Sequence, residues 1–191
     1  VMTGVFGRRD RQIELYEAAL ERDPVAMSVL WNLTGAYLGA GRFDDAAALI
    51  ERMRSISPES SFVPMAQAFL HWFRGEAEAA WDGFVAVGGP IGELGRALSL
   101  YDLGRDEELE EVLREMQESD ESAATVAIVY AHANRPDAAF DWLERAYEAR
   151  DDEMIEIRMY VGLDSLHDDP RWEALLKKIG ISDADAVRIG I

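Results

Sequence analysis

Cysteine is absent from the 191-residue sequence, and long apolar runs are absent as well. Without cysteine there is no disulfide framework, no thiolate chemistry and no thiolate metal site. No apolar stretch approaches the ~18 residues that a membrane-spanning helix needs. The opening residues, VMTGVFGRRD, also lack the charged and apolar regions of a signal peptide. These absences favour a cytoplasmic protein that is not inserted in a membrane.

Basic residues are scarce. The chain has 19 Lys and Arg against 37 Asp and Glu, which gives a formal net charge of −18. Such a surface repels nucleic-acid phosphates and anionic lipids, so no direct binding to either is predicted. We interpret the negative charge as a contribution to solubility rather than as a means of recognising a specific basic partner. Hydrophobic residues still make up 49% of the chain, which is enough for a sizeable core.

Residues 27–60 have the pattern of two helices joined by a glycine turn. In the first helix Leu30, Leu33 and Tyr37 recur at three- and four-residue spacing and therefore share one face. Gly41 ends this helix because glycine tolerates the left-handed turn conformation. The second helix stops before Pro58. Its apolar stripe consists of Ala46, Leu49, Ile50 and Met53. Such a pair cannot bury all of its apolar surface alone and needs similar pairs beside it.

The turn residue recurs along the chain. The five turn residues are Gly7, Gly41, Gly75, Gly104 and Asn134. The first three are 34 residues apart, and the next two follow after 29 and 30 residues. Asn takes the last position because it is the next-best residue for a left-handed turn. The shorter later spacing indicates a trimmed connection, which we place at Gly88-Gly89-Pro90.

This pattern resembles the tetratricopeptide repeat family, through the 34-residue period and the sequence Leu33…Tyr37…Gly41…Ala46…Pro58. The resemblance covers residues 1–150. It implies an all-α fold, an α-α superhelix of antiparallel helix pairs that binds other proteins. The predicted units are 1–26, 27–60, 61–89, 90–119 and 120–150. The first unit is expected to be partial, and Val1 is not expected to be the natural start, because only six residues precede Gly7.

Residues 151–191 leave the repeat pattern and are predicted to form C-terminal capping helices. Asp169 caps a helix that has Pro170 in its first position, and Gly180 ends it. Its apolar face consists of Trp172, Leu175, Leu176 and Ile179. Ser182 with Asp185 forms a capping-box pattern for a last short helix. A cap is needed because the outer face of a terminal repeat is otherwise bare apolar surface.

The same tail carries a second resemblance. It is similar to the C-terminal end of repeat regions in large bacterial signalling proteins, in which the repeats follow a class III nucleotide cyclase, a protein kinase or a winged-helix DNA-binding domain. The matching residues are Asp164, Leu166, Asp169, Pro170, Arg171, Trp172 and Leu175. Ser165 and His167 depart from the usual Pro and Arg. The resemblance implies that any catalytic or DNA-reading part lies upstream of Val1.

No catalytic constellation is visible in the sequence, so the protein is predicted to be neither an enzyme nor a holder of a cofactor or metal. His71, His132 and His167 are far apart and lack metal-ligand partners at helical spacing. His71 is expected to be a packed interior imidazole. Gly88-Gly89-Pro90 lacks the spacing and the lysine of a phosphate loop. The Lys, Asn and Arg clamp by which the resembled family holds a peptide C-terminus is absent, because Trp31, Gly35 and Ala66 occupy those positions.

A second apolar stripe along the first helix of each repeat predicts a protein-binding groove. The predicted groove residues are Trp31, Leu38, Phe62, Met65, Phe69, Trp72, Phe73, Ile91, Leu94, Leu98 and Tyr101. A continuous apolar patch on an acidic protein usually marks an interaction surface. The expected partner is an apolar or amphipathic segment of a protein, including this protein itself or an upstream domain of the same polypeptide. Two alternatives stay open: a homo-oligomerisation or intramolecular docking segment, and a groove that the chain fills itself.

Overall fold

The computed structural model describes residues 3–119, 122–155, 157 and 160–181, and these residues are almost entirely helical. No strand occurs in these ranges, which confirms the predicted all-α fold. The α-helices are α1 (Thr3–Arg22), α2 (Met27–Gly39), α3 (Phe43–Ile56), α4 (Phe62–Phe73), α5 (Ala77–Val87), α6 (Gly89–Asp102), α7 (Asp106–Glu118), α8 (Ala123–His132), α9 (Pro136–Ala149) and α10 (Pro170–Ile179). Two short 3-10 helices, η1 (Asp152–Ile155) and η2 (Val161–Leu166), precede α10. The chain divides into two compact units, unit 1 (Val1–Leu103) and unit 2 (Gly104–Ile191).

The helix pairs turn where the sequence predicts. Gly41, Gly75 and Gly104 have φ angles of 71°, 73° and 67°, and Asn134 has a φ of 55°. After Gly41 the amide of Arg42 donates to the Tyr37 carbonyl at 2.8 Å, and after Asn134 the amide of Arg135 donates to the Tyr130 carbonyl at 2.9 Å. These bonds close a Schellman motif, which satisfies the last carbonyls of a helix and reverses the chain. The left-handed turn therefore sets the antiparallel pairing of α2 with α3, of α4 with α5 and of α8 with α9.

The predicted turn at Gly7 is wrong. Helix α1 runs without a break from Thr3 to Arg22 and includes residue 7. A glycine inside a helix costs only about 1 kcal/mol relative to alanine, so it does not end a helix by itself. Within the first predicted unit, residues 1–26, α1 occupies residues 3–22, and the sequence spacing from Gly7 to Gly41 does not mark a repeat boundary.

The core of unit 1 is built by the stripes that the sequence predicts. Leu30 and Leu33 of α2 and Ile50 and Met53 of α3 are at most 2% exposed. The one polar side chain among them on α2, Thr34, is buried and donates its hydroxyl to the Leu30 carbonyl at 2.8 Å. Burial of a Leu, Ile or Met side chain contributes about 1.5–3 kcal/mol each. This core holds α1–α4 together.

Glycines allow α6 to lie close to α5. Helix α5 ends at Val87 and α6 begins at Gly89, so the connection is Gly88 alone, with a φ of 62°. A Cβ at Gly95 would lie 2.2 Å from two atoms of the Phe84 ring, and a Cβ at Gly92 would lie 2.7 Å from the Phe84 carbonyl oxygen. The two helices approach so closely that only glycine fits at these positions. The connection trimmed at Gly88 agrees with the shortened sequence period.

Unit 2 contains the pair α8 and α9, and α10 follows as a predicted helical cap. The side chain of Asp169 accepts a hydrogen bond from the Arg171 amide, and Gly180 ends α10 with a φ of 86°. Trp172 is 6% exposed and its ring lies 4.7 Å from that of His167. The predicted start, end and apolar face of this helix are therefore confirmed, although the start of the cap at residue 151 stays a prediction. The Ser182–Asp185 capping box lies outside the described residues.

Charged side chains join α10 to α9. Arg171 donates to Asp137 at 2.8 Å and its guanidinium lies 4.2 Å from the centre of the Phe140 ring. Lys178 bonds to Glu144 and lies 4.4 Å from the Tyr147 ring centre. The pKa of Lys178 is raised by this bond to Glu144, and the pKa of Asp169 is lowered mainly by its hydrogen bond from the Arg171 side chain. These exposed pairs fix the orientation of α10 more than they add stability.

Tyr37 links α2 to α1 and makes a pH-dependent contribution. Its hydroxyl donates to Glu17 at 2.7 Å, and burial together with this bond raises the pKa of Tyr37 to about 12. Because the folded state favours the neutral phenol, this contribution is present below pH ~10 and is lost as the pH rises through the folded pKa. The ring 13C shift of Tyr37, identified with Tyr37→Phe, should titrate near this value. Glu17→Gln should lower it, and a Tyr37 that titrates near 10 in the wild-type protein would contradict the bond.

Candidate protein-binding surface

The predicted groove residues all belong to α2, α4 and α6 of unit 1. In this unit α2 contacts α4, and α4 contacts α6, so the three helices lie side by side. Nine of the eleven predicted residues are partly buried or exposed. We call these nine the aromatic surface: Trp31, Phe62, Met65, Phe69, Trp72, Phe73, Ile91, Leu94 and Tyr101. The structure thus brings the predicted residues onto neighbouring helices of one unit.

The repeat register orders this surface. Trp31, Met65 and Leu94 each lie ten residues before the turn residue of their own helix pair. Trp72 and Tyr101 each lie three residues before theirs. Equivalent positions in successive pairs present their side chains in the same direction, so these residues form columns. The first column crosses α2, α4 and α6, and the second crosses α4 and α6 only, because its α2 member, Leu38, is 3% exposed. Columns of this kind make one continuous surface out of separate helices.

The rings on this surface contact one another. Trp31 stacks on Phe62 with ring centroids 5.4 Å apart and meets Phe69 edge-on at 6.3 Å. Phe69 in turn meets Phe84 at 5.0 Å and 80°. Such aromatic pairs are worth ~0.5–1.5 kcal/mol beyond their buried area. Because Phe84 is fully buried, this chain of contacts fixes the half-buried rings to the core and makes the surface rigid.

Trp72 is fixed on two sides. Its indole nitrogen donates to Asp102 of α6 at 2.8 Å, and its ring lies 4.9 Å from that of Phe73 at 77°. The bond joins the ends of α4 and α6. A ring held in one orientation loses little entropy when it binds a partner, so it is suited to serve as an anchor.

The most accessible apolar side chains of the surface lie on α6. Ile91 is 37% exposed and Tyr101 is 36% exposed. Ile91 lies in the first turn of α6 and Tyr101 in its last turn, and at 3.6 residues per turn the two side chains point about 80° apart around the helix axis. The apolar side chains of this surface that are most accessible to a partner are therefore Ile91 and Tyr101 of α6.

Two predicted groove residues are not accessible. Leu38 and Leu98 are each 3% exposed, so they belong to the core and we remove them from the predicted surface. The reason is the number of neighbouring helices: α2 packs against α1, α3 and α4, and α6 packs against α4 and α5. A helix with several neighbours buries more than one stripe, and the residue next to the core stripe is buried with it.

The histidines do not form a site. His71 is half-buried and its Nδ1 lies 2.5 Å from Glu76 at the following turn, so the predicted interior imidazole is wrong. The turn itself explains this position, because Gly75 brings Glu76 back over the end of α4. His167 lies against Trp172 in unit 2. Within the described ranges no group of three or more His, Cys, Asp and Glu side chains is arranged to hold a metal ion.

Sequence reasoning missed the residues that support the surface. Phe84 lies on α5 and holds Phe69 from behind, and Asp102 holds the Trp72 indole. Gly95 makes room for the Phe84 ring. A signal for Gly95 was available, because a glycine in the middle of an otherwise apolar helix often marks close helix packing. No sequence signal connects Asp102 to Trp72, since 30 residues separate them.

Residues 6–61 match the tetratricopeptide repeat family model. This segment holds α2 and α3 whole, together with most of α1. No curated protein matches the chain in sequence. Tetratricopeptide repeats are non-catalytic repeats that generally mediate protein–protein interactions. Among the helices of the described ranges, none is both long enough and apolar enough to cross a membrane.

Proposed function

We propose that the aromatic surface of unit 1 binds an apolar or amphipathic segment of another protein. The observation that carries the proposal is the position of Ile91 and Tyr101. Both are more than one-third exposed on α6, which packs against α4, on a chain with a formal net charge of −18. Aromatic and aliphatic anchors of this kind commonly dominate the energy of an interface. Basic residues at the flanks of the partner segment would speed association with so acidic a protein.

The biological setting is part of the same proposal. The likeness of the tail to repeat regions of bacterial signalling proteins supports a regulatory or scaffolding role in the cytoplasm, as the C-terminal part of a larger protein. The reading frame upstream of Val1 tests this setting. A cyclase, kinase or winged-helix domain is expected there, and an unrelated domain would contradict the proposed setting without affecting the binding surface.

The binding proposal predicts that a library of displayed 15-residue segments yields ligands for the purified chain. Tyr101→Glu and Ile91→Glu should each weaken those ligands by about 10-fold or more, because a loss of ~1.4 kcal/mol is tenfold in affinity and an anchor is worth at least that. Val85→Glu is the matched control, since Val85 is 51% exposed on α5 and lies outside the surface. Affinity is measured by fluorescence anisotropy with labelled segments.

Three results would contradict the proposal. The library yields no ligand, or Val85→Glu weakens the ligands as much as Tyr101→Glu does, or sedimentation shows a dimer that Tyr101→Glu dissociates. The last result would assign the surface to homo-oligomerisation. A monomer at the concentrations used for binding is the expected state.

A further inference from the structure

Unit 2 shows how a first helix of a pair is covered by an apolar segment. Helix α8 stands in the same place in its pair as α2, α4 and α6 do in theirs, and the 3-10 helix η2 of the same chain packs on it. The contact is close: a Cβ at Gly162 would lie 2.5 Å from Cγ2 of Ile128. The hydroxyl of Ser165 donates to the Ala131 carbonyl at 3.1 Å. The chain therefore fills this face of α8 by itself.

The repeat register relates this contact to the aromatic surface. Ile128 and Ala131 lie six and three residues before the turn residue Asn134. Phe69 lies six residues before Gly75, and Trp72 lies three residues before it. Tyr101 likewise lies three residues before Gly104. The segment η2 thus covers in unit 2 the positions that carry the rings of Phe69, Trp72 and Tyr101 in unit 1, whereas the equivalent Leu38 and Leu98 are buried.

The covering segment has a simple chemistry. Leu163 and Leu166 are spaced three residues apart, as one 3-10 turn requires to put them on one side, and they are at most 1% exposed. Asp164, between them, is exposed. The segment is thus a single amphipathic turn with two leucines inward and a charge outward.

We infer that the aromatic surface of unit 1 binds a segment of this same chemistry from another protein: one 3-10 turn with aliphatic residues three apart and polar residues facing outward. This inference rests on the proposed function and specifies the partner's class. The larger side chains of unit 1 hold such a segment further from the helix backbone than Ile128 holds η2. The aliphatic pair then contacts the faces of Trp72 and Tyr101, and a small residue corresponding to Gly162 is not required. The chain's own leucines, Leu163 and Leu166, are already buried in unit 2.

A synthetic peptide tests the inference. It has the sequence Tyr-Val-Gly-Leu-Asp-Ser-Leu of residues 160–166, with two lysines added at each end to suit the acidic protein. The control peptide has both leucines replaced by glutamine. NMR of the full chain should show a peptide-induced shift of the Trp72 indole N–H signal and none of the Ile128 methyl signals. Tyr101→Glu should weaken binding at least tenfold, while Val85→Glu should leave the affinity unchanged.

Two results would overturn the inference. A shift confined to Ile128 would mean that the peptide only displaces η2 from α8, and equal binding of the control peptide would mean that the aliphatic pair is not recognised. If library-selected segments bind the aromatic surface but this peptide does not, the inference fails and the proposed function stands. If neither binds, both fail.

Discussion

Replacing Phe84 with alanine is expected to lower the free energy of unfolding by about 3–5 kcal/mol, the range for deleting a fully buried phenyl ring. Phe84 has no exposed surface, lies against Gly95 of α6 and meets Phe69 of α4 edge-on at 5.0 Å. The loss should appear in urea unfolding and, in hydrogen exchange, as lower protection of α4, α5 and α6. A loss below ~1 kcal/mol, or unchanged protection of these helices, would contradict the packing described for unit 1.

The contact between Phe84 and Gly95 can be isolated by a double-mutant cycle. Gly95→Ala alone is expected to destabilise by about 1–3 kcal/mol, because the new methyl group overpacks a buried site. In the Phe84→Ala background the ring is gone and the same change should be neutral or stabilising. Gly35→Ala is the control: a Cβ there meets nothing within 4 Å, so it should stabilise by about 0.4–1 kcal/mol. Additive effects of the two changes would contradict the contact.

Replacing Trp172 with alanine is expected to lower the free energy of unfolding by about 3–5 kcal/mol, because the ring is 6% exposed on α10, the predicted cap. Repeat units couple mainly to their neighbours, so the effect should be local. Hydrogen exchange should show lost protection in η2, α9 and α10 and little change in α2 and α3.

The half-buried Trp142 of α9 provides a matched control in the same unit. Its ring contacts Arg145 at 4.4 Å, and Trp142→Ala should cost clearly less than Trp172→Ala. Equal costs, or a loss of protection that is uniform along the chain, would contradict the role of α10 as a cap.

The sequence predicts the turns of this fold well because few residues can make them. A left-handed residue follows the first helix of each pair, and glycine or asparagine takes that conformation at least cost, as at Gly41, Gly75, Gly104 and Asn134. The presence of a glycine does not by itself predict a turn, because glycine also occurs inside helices. Gly7 lies inside α1 for this reason.

The tail is harder to predict than the repeats. Helix α10 has a start and end encoded by single residues, Asp169 and Gly180, and both are found in place. The 3-10 helices η1 and η2 are too short to show a recognisable periodicity of apolar residues, and their positions depend on tertiary contacts. Gly162 is the one residue whose small size was a signal, since it permits the close approach to Ile128.

The sequence predicts which residues align across neighbouring helices on the candidate surface, but it does not predict which of them stay accessible to solvent. Period and spacing place Trp31, Met65 and Trp72 on neighbouring helices, because the same register recurs. Whether a residue of the second stripe stays accessible depends on how many helices surround its own. Leu38 and Leu98 are buried beside the core stripe, while Tyr101 in the last turn of α6 is 36% exposed.

The indole N–H signals of the five tryptophans offer the most direct test of the aromatic surface as a binding site. Trp31 and Trp72 belong to the surface, whereas Trp81, Trp142 and Trp172 lie elsewhere on α5, α9 and α10. One two-dimensional 15N–1H spectrum, recorded with and without a library-selected segment, resolves all five. We predict that the signals of Trp31 and Trp72 shift on binding and that the other three stay in place. Shifts at Trp81, Trp142 or Trp172, with Trp31 and Trp72 unchanged, would contradict the account.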